Sequence, residues 1–268
     1  MNTTEREYKI SVLRRSFIFT ILVGSLLIIG CVPVKYKVLV KDIKETYPGQ
    51  PEGYLSSFEL PNSRSLLPPP PQPGSSAMKV DQEISDMYLN SDDSLRWRQA
   101  QVDANLDFPT GIDSFAEILH TKISLETAPH LYLLLTRVVE DASLSTASAK
   151  IYYMRQRPFI VNEQPTCDPE AEPYLRRSGA YPSGHSAIGW TWALILCEIF
   201  PEQTNEILIR GREFGESRAV CNLHWHSDVV EGRFMGSATV AALHGNSEFQ
   251  HDLKKAKQEV KRIISKNR

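Results

Sequence analysis

Three things are scarce in this 268-residue sequence, and each scarcity removes a class of protein. Charge imbalance is the first: 30 Lys and Arg stand against 32 Asp and Glu, a formal net charge of −2. No global basic field recruits nucleic acid, so any anion site has to be built locally. Long apolar runs are the second. Past residue 30 no segment reaches the ~18 apolar residues of a spanning helix, and the run Ile188 to Phe200 is short and interrupted by Glu198. Clustered metal ligands are the third. His224, His226 and Asp228 stand close together, but histidines two apart on a helix point to different faces, and no further His/Cys cluster lies nearby. A metal site is therefore only an alternative reading of that stretch.

What is present begins with a leader. Residues 1–30 open with charge ending in Arg14 and Arg15, followed by the 15-residue apolar run Ser16 to Gly30. As a helix that run spans roughly 22 Å, short of the ~30 Å bilayer core, which fits the centre of a secretory signal. It ends Leu27-Ile28-Ile29-Gly30-Cys31, which resembles the bacterial lipoprotein box, where cleavage precedes a cysteine that is then lipidated. An uncleaved anchor is the alternative. Cleavage removes Arg6, Lys9, Arg14 and Arg15 together with Glu5 and Glu7, leaving 26 basic and 30 acidic residues, a net charge of −4. With Cys31 lipidated, Cys167, Cys197 and Cys221 remain. Cys197 sits in an apolar run and reads as a small core residue, so Cys167 and Cys221 are the candidate disulfide in an oxidising compartment.

The remaining chain, 41% hydrophobic and 23% charged over its full length, suits one globular domain, taken as 55–268 behind a tether at 31–54. Leu66 to Gly74 holds five prolines and reads as an extended linker or surface strap. Beyond it, helical periodicity dominates. Helices are expected over Asp81 to Leu89, Ser94 to Leu106 and Ser114 to His120. A long one opens at Pro129, carries Leu131, Leu134, Leu135, Val138 and Ala142 at three-four spacing, and runs on through Tyr153. Phe159 to Tyr181 reads as a long loop forming a lid or rim. Helices follow over Ser183 to Phe200, Glu202 to Glu216 and Asp228 to His244, and from Phe249 onward; Gly232 and Gly236 would admit a neighbouring helix closely. No stretch alternates as a strand does. The expected fold is an all-α helical bundle.

Three separated stretches carry chemistry. Lys150 is followed after six residues by Arg157-Pro158; Pro182-Ser183-Gly184-His185 opens a helix; Ser217-Arg218 is followed after five residues by His224 and after three more by Asp228. A carboxylate four residues beyond a histidine can share its helical face, accept from one ring nitrogen and leave the other as a free lone pair. A small Ser-Gly turn at a helix start aims backbone N–H groups at an anion. Lys150, Arg157 and Arg218 supply the cations that a phosphoryl transition state calls for. Each piece alone has an ordinary structural reading: a helix surface contact, a capping serine, snorkelling cations. The combination is what stands out.

Together the three stretches resemble the signature of the phosphatidic acid phosphatase type 2 superfamily, which includes vanadium haloperoxidases. Leu67-Pro68-Pro69-Pro70-Pro71, Tyr181 to Ser186 and Cys221 to Val229 are more closely similar to the class A bacterial non-specific acid phosphatases. The resemblance implies that His224 attacks phosphorus to form a phosphohistidine while Asp228 orients its ring. His185 would protonate the leaving alcohol and then activate water. Lys150, Arg157, Ser183, the Gly184 amide and Arg218 would hold the phosphoryl oxygens, with no metal and no cofactor. The expected partners are small phosphomonoesters, without nucleic acid; self-association stays open, and the membrane is met only through the lipid on Cys31. The expected location is the periplasm or cell envelope, with a freely secreted form as the alternative. An acidic pH optimum and a broad substrate range are implied as well. A lipid or diphosphate phosphatase, a haloperoxidase and a non-catalytic phosphate-binding lipoprotein are the competing readings. Mass spectrometry of the mature protein should find an acylated N-terminal Cys31; an intact Met1 contradicts the leader reading.

Overall fold

The computed structural model describes residues 52–108 and 110–267. The leader 1–30, Cys31 and the tether up to residue 51 lie outside the described residues. Among the described residues there are twelve α-helices and no strand, which is the all-α architecture expected from the periodicity. In chain order they are α1 (Ser63–Leu66), α2 (Ser76–Leu89), α3 (Ser94–Asp103), α4 (Thr110–Leu119), α5 (Pro129–Ser145) and α6 (Ala147–Tyr153). There follow α7 (Pro158–Asn162), α8 (Glu172–Leu175), α9 (Gly184–Ile199), α10 (Thr204–Val220), α11 (His226–Leu243) and α12 (Ser247–Asn267). None is long and apolar enough to cross a membrane.

Local chemistry sets the starts. The side chains of Ser75, Asp93 and Ser183 accept from the amides of Met78, Arg96 and Ser186, capping α2, α3 and α9. Pro129 and Pro158 occupy the first turns of α5 and α7, where a missing N–H costs nothing. Several expected boundaries shift. Pro158 opens a short helix, and α7 and α8 lie inside the stretch read as a loop. The long helix at 129–153 divides at Thr146, where Ser145 Oγ and Thr146 Oγ1 donate to the carbonyls of Ala142 and Ser143. Hydroxyls that bond back to the preceding turn compete with the helical ladder and bend it.

Helix α9 is apolar on nearly every face and forms the centre, packed by α10, α11 and α5. Trp192 is fully buried there and donates Nε1–H to the carbonyl of Leu135 at 3.0 Å. Ile195 and Leu196 of α9, Leu134 and Leu135 of α5, Phe214 of α10 and Val229 of α11 complete the core without exposure. Burying each such side chain contributes about 1.5–3 kcal/mol of transfer free energy. The crossing of α9 and α11 runs over Gly232 and Gly236. A Cβ at Gly232 would meet the Ser183 carbonyl at 2.5 Å, and one at Gly236 the Ala187 carbonyl at 2.7 Å. The absence of those methyls lets the first turn of α9 lie directly on α11, and Ser183 N–H donates to the Asp228 carbonyl at 2.9 Å.

The periphery ties the ends down. Tyr54 and Leu55 are buried, and their amides donate to the Asp141 carboxylate at 2.9 and 3.0 Å. Burial pushes the Asp141 carboxyl up to about 6, against the pull of those two amides. Leu67 at the head of the proline-rich stretch is buried, and Tyr181 Oη donates to the Pro68 carbonyl at 2.7 Å, so that stretch is a strap laid over the bundle. Helix α12 buries Phe249, Leu253, Ala256 and Val260 on one face, exposes Lys254, Lys261 and Lys266, and ties Lys257 to Glu198 at 2.9 Å. Cys167 and Cys221 form a disulfide with Cα atoms 4.9 Å apart, and Cys197 is a free thiol.

Candidate active site

Two of the three chemistry-bearing stretches run into a left-handed residue that turns the chain, Met154 and Asn222. Helix α6 carries Lys150 and stops at Met154, whose left-handed conformation (φ 44°) turns the chain toward Arg157 at the N-cap of α7. Helix α10 ends just past Arg218. Leu223 and His224 then fold back to donate their amides to the Arg218 carbonyl, both at 3.1 Å. This reversal rests on Asn222, a residue with φ 59°. Asn is among the few types that tolerate that conformation. Its side chain exchanges hydrogen bonds with Asn162 and donates to the Gln164 carbonyl, locking the turn onto the end of α7 and the segment after it.

The histidine and its acid do not share one helical face as the spacing suggested. His224 precedes α11, whose N-cap is Trp225, and Asp228 stands three residues into the helix. Asp228 Oδ2 accepts the Trp225 amide at 2.9 Å, as an acid in a helix first turn can. The same oxygen lies 3.4 Å from His224 Nδ1, a long contact that falls short of hydrogen-bond geometry. Opposite, Arg157 Nη1 stands 2.9 Å from His224 Nε2. Arginine only donates, so Nε2 presents a lone pair and the ring proton belongs on Nδ1, facing the carboxylate.

The other positions gather round this ring. Arg157 also donates to the carbonyls of Leu175, Leu223 and Gly179 and to Ser178 Oγ. Lys150 Nζ approaches the Gly179 and Ala180 carbonyls at 3.4 and 3.5 Å, and its Cε would lie 3.8 Å from a Cβ built on Gly184. Arg218 is 1% exposed. Ser183 Oγ, fully buried, accepts from Ser186 N and Oγ. His185 Nε2 is 3.0 Å from the Ala104 carbonyl at the end of α3. That carbonyl is held in place because Asp103, also buried, receives Arg210, Ser217 and Gln99. The charges of Lys150, Arg157 and Arg218 act on His224, and those of Arg218, His224 and Arg157 on His185, so the expected side chains share one neighbourhood. Among the described residues no group of three His, Cys, Asp or Glu side chains converges as a metal site.

Four residues beyond those eight positions also shape the site: Asp81, Arg155, Asp103 and Ser227. Arg155 donates to Asp228 Oδ1 at 2.6 Å and to Asp81 Oδ2 at 2.7 Å. The sequence signal for it was a third cation inside the Lys150–Arg157 spacing; Asp81 gave none beyond its place near a helix start.

Burial, and after it the concentration of cations, sets the electrostatics. Burial and then Arg157 push the Lys150 ammonium down to about 7, and burial brings the Arg157 guanidinium to about 10. His224 is held well below the usual imidazole range by burial, then by Arg157, Lys150 and Arg218. His185 is held down by burial and then Arg218, with the Ala104 carbonyl opposing. Asp228 moves up because it is buried, while Arg155 pulls it back. An anion placed among these groups relieves the repulsion and restores their protons.

Comparison with known proteins agrees with this geometry. The PAP2 superfamily model matches residues 129–250, which contain all three motifs. A non-specific acid phosphatase of Providencia stuartii is 43% identical over 211 residues, covering 78% of this chain and 85% of the relative. The chain belongs to the non-specific acid phosphatase family of the PAP2 superfamily. A non-specific acid phosphatase of Salmonella typhimurium is 39% identical over 77% of this chain and 83% of the relative. An acid phosphatase of Zymomonas mobilis is 37% identical over 73% and 74%. Within this family fold the motif residues are carried by α6, the start of α7, α9, α10, and the first turn of α11 with the segment leading into it.

The two depressed histidines set the direction of a titration. The unfolded chain takes up these protons near the ordinary value of 6.5 and the folded chain only lower, so the contribution of these rings to stability falls on acidification below about 6.5. Ring-nitrogen NMR of the phosphate-free protein should show His224 neutral, with its proton on Nδ1, at pH 6. Added inorganic phosphate should move the His185 titration to higher pH. A charged His224 at pH 6 without phosphate contradicts the charge arrangement described above.

Proposed function

We propose that this chain hydrolyses phosphomonoesters by way of a phosphohistidine on His224. The observation that carries this reading is the 2.9 Å approach of a donor-only guanidinium to His224 Nε2, which marks that nitrogen as the lone-pair face directed into the cations. In the first step Nε2 attacks phosphorus and the bond to the leaving oxygen breaks. His185 supplies the proton that makes the departing group an alcohol. In the second step His185 takes a proton from water, whose oxygen attacks phosphorus, releasing inorganic phosphate and the free ring. Positive charge growing on the ring during attack draws Nδ1–H toward Asp228, shortening a contact that is 3.4 Å at rest.

Lys150, Arg157, Arg218, the Ser183 hydroxyl and the Gly184 amide at the start of α9 neutralise the equatorial oxygens. This places fixed positive charge where other phosphatases use metal ions, and supports metal independence. His185 starts neutral and gains its proton as the anionic substrate arrives, which favours a mildly acidic optimum. A pocket that grips the phosphoryl group and a buried nucleophile suit a broad range of leaving alcohols. The Cys167–Cys221 disulfide supports an oxidising compartment, and with the leader it points to a lipid-anchored protein of the cell envelope.

Hydrolysis of a phenyl phosphate ester should persist in chelator and be blocked by vanadate. His224→Ala should lower kcat by roughly three orders of magnitude or more. Near-wild-type turnover in His224→Ala, or complete loss on chelation, contradicts the scheme.

A further inference from the structure

We propose that Arg155, held in turn by Asp81, is a positioning residue that aims the Asp228 carboxylate at His224; the proposal rests on the nucleophilic role of His224. Three facts separate Arg155 from the cations that face the phosphate. Its two terminal nitrogens are divided between two carboxylates: Nη1 donates to Asp228 Oδ1 at 2.6 Å and Nη2 to Asp81 Oδ2 at 2.7 Å. Lys150 and Arg157 are hydrogen-bonded to carbonyl oxygens, a serine hydroxyl and an imidazole nitrogen, leaving their charge for an anion. Arg155 therefore adds little net charge to the pocket. It grips the oxygen of Asp228 that does not face the ring, while the other is held by the Trp225 amide. With both oxygens fixed, rotation of the carboxylate about its own bond is suppressed.

Asp81 completes the clamp from a distant element. Its Oδ1 accepts the Ser227 amide at 2.8 Å and its Oδ2 the Ser227 hydroxyl at 2.6 Å, so α2 grips the first turn of α11 next to Asp228. Arg155 Nη1 also donates to Ser227 Oγ at 2.7 Å, and its guanidinium lies 5.6 Å from the Trp225 ring. Asp81 is 2% exposed and Asp228 is not exposed at all. A buried carboxylate without a cation takes up a proton, and a neutral Asp228 would no longer accept from Nδ1–H. The groups that act on Asp228 are Arg155, Lys150, Arg157 and His224, with Tyr181 behind it. Only Arg155 among them bonds the oxygen remote from the ring.

The test compares Arg155→Lys and Asp81→Asn with wild type. Lysine keeps the charge but cannot bridge both acids, and Asn keeps the shape but loses the charge, so both variants are chosen to fold; thermal unfolding checks that they do. Each should lower kcat about 10- to 100-fold, in line with outer-shell partners elsewhere. Inhibition by inorganic phosphate should change less than about threefold, because the anion-binding cations are untouched. In Arg155→Lys the acidic limb of kcat/KM should move to higher pH, because Asp228 loses the hydrogen bond on Oδ1 and becomes easier to protonate. Unchanged kcat and pH limb in folded Arg155→Lys overturns the proposal, as does a parallel loss of kcat and phosphate affinity, which would make Arg155 an anion ligand. Acid-quench trapping of phosphohistidine in wild type separates the two levels. No trapped species ends the His224 reading and this proposal with it; a trapped species with unchanged variants ends this proposal alone.

Discussion

The rest of this structure depends on holding Lys150, Arg157 and Arg218 together, out of bulk water and against their mutual repulsion. Like charges in a poorly solvated pocket repel by several times what they would in water. Burial first, and then the charges of Arg157 and Arg218, bring the Lys150 ammonium down to about 7. That unfavourable arrangement survives because the surrounding bundle fixes it, and in the proposed function a phosphoryl group relieves it. In the proposed reaction binding and chemistry would use the same charge, which meets both the anionic ester and a transition state with negative charge spread over three oxygens.

The frame explains how the bundle can hold such a pocket. Two glycines in α11 let α9 lie against it, which brings the Ser183 turn and its helix N-terminus onto the helix that carries Asp228. The Asn222 reversal fixes His224 against the end of α10; the asparagine pair fastens that reversal to α7 and the disulfide fastens it to the segment after α7. Polar burial is handled by pairing: Asp81 with Arg155, Asp103 with Arg210 and Ser217, Asp141 with two backbone amides. Such pairs add little net stability once desolvation is counted, but losing one partner is costly, which makes them suited to fixing geometry.

Much of this was legible in the chain. The three-four spacing of α5, the apolar α9 and the Gly232/Gly236 pair declared a helical bundle and one of its crossings. The three motifs declared which side chains would meet, because few other chemistries call for three cations, a Ser-Gly helix start and two histidines in that order. What escaped was whatever depends on conformation or distant partners. His224-x3-Asp228 has helical spacing, yet the histidine lies outside α11 and the acid acts as a first-turn acceptor; only the left-handed turn at Asn222 decides this. Asp81 and Asp103 look like ordinary helix acids, since burial beside an arginine more than 70 residues away leaves no local mark. Tyr54 looked like tether because its docking runs through backbone amides onto Asp141. Division of the helix at Thr146 came from two hydroxyls whose preference is too weak to read from type alone.

The central claim is that His224 Nε2 faces the place where phosphorus reacts, with the cations arranged around that position. A crystal structure of the protein with vanadate, a mimic of the five-coordinate phosphoryl group, tests this most directly. The account predicts vanadium bonded to His224 Nε2, Arg157 displaced from that nitrogen onto a vanadate oxygen, and Lys150 and Arg218 on the remaining equatorial oxygens. Vanadate bound elsewhere, or in the pocket with His224 Nε2 still capped by Arg157, would contradict it.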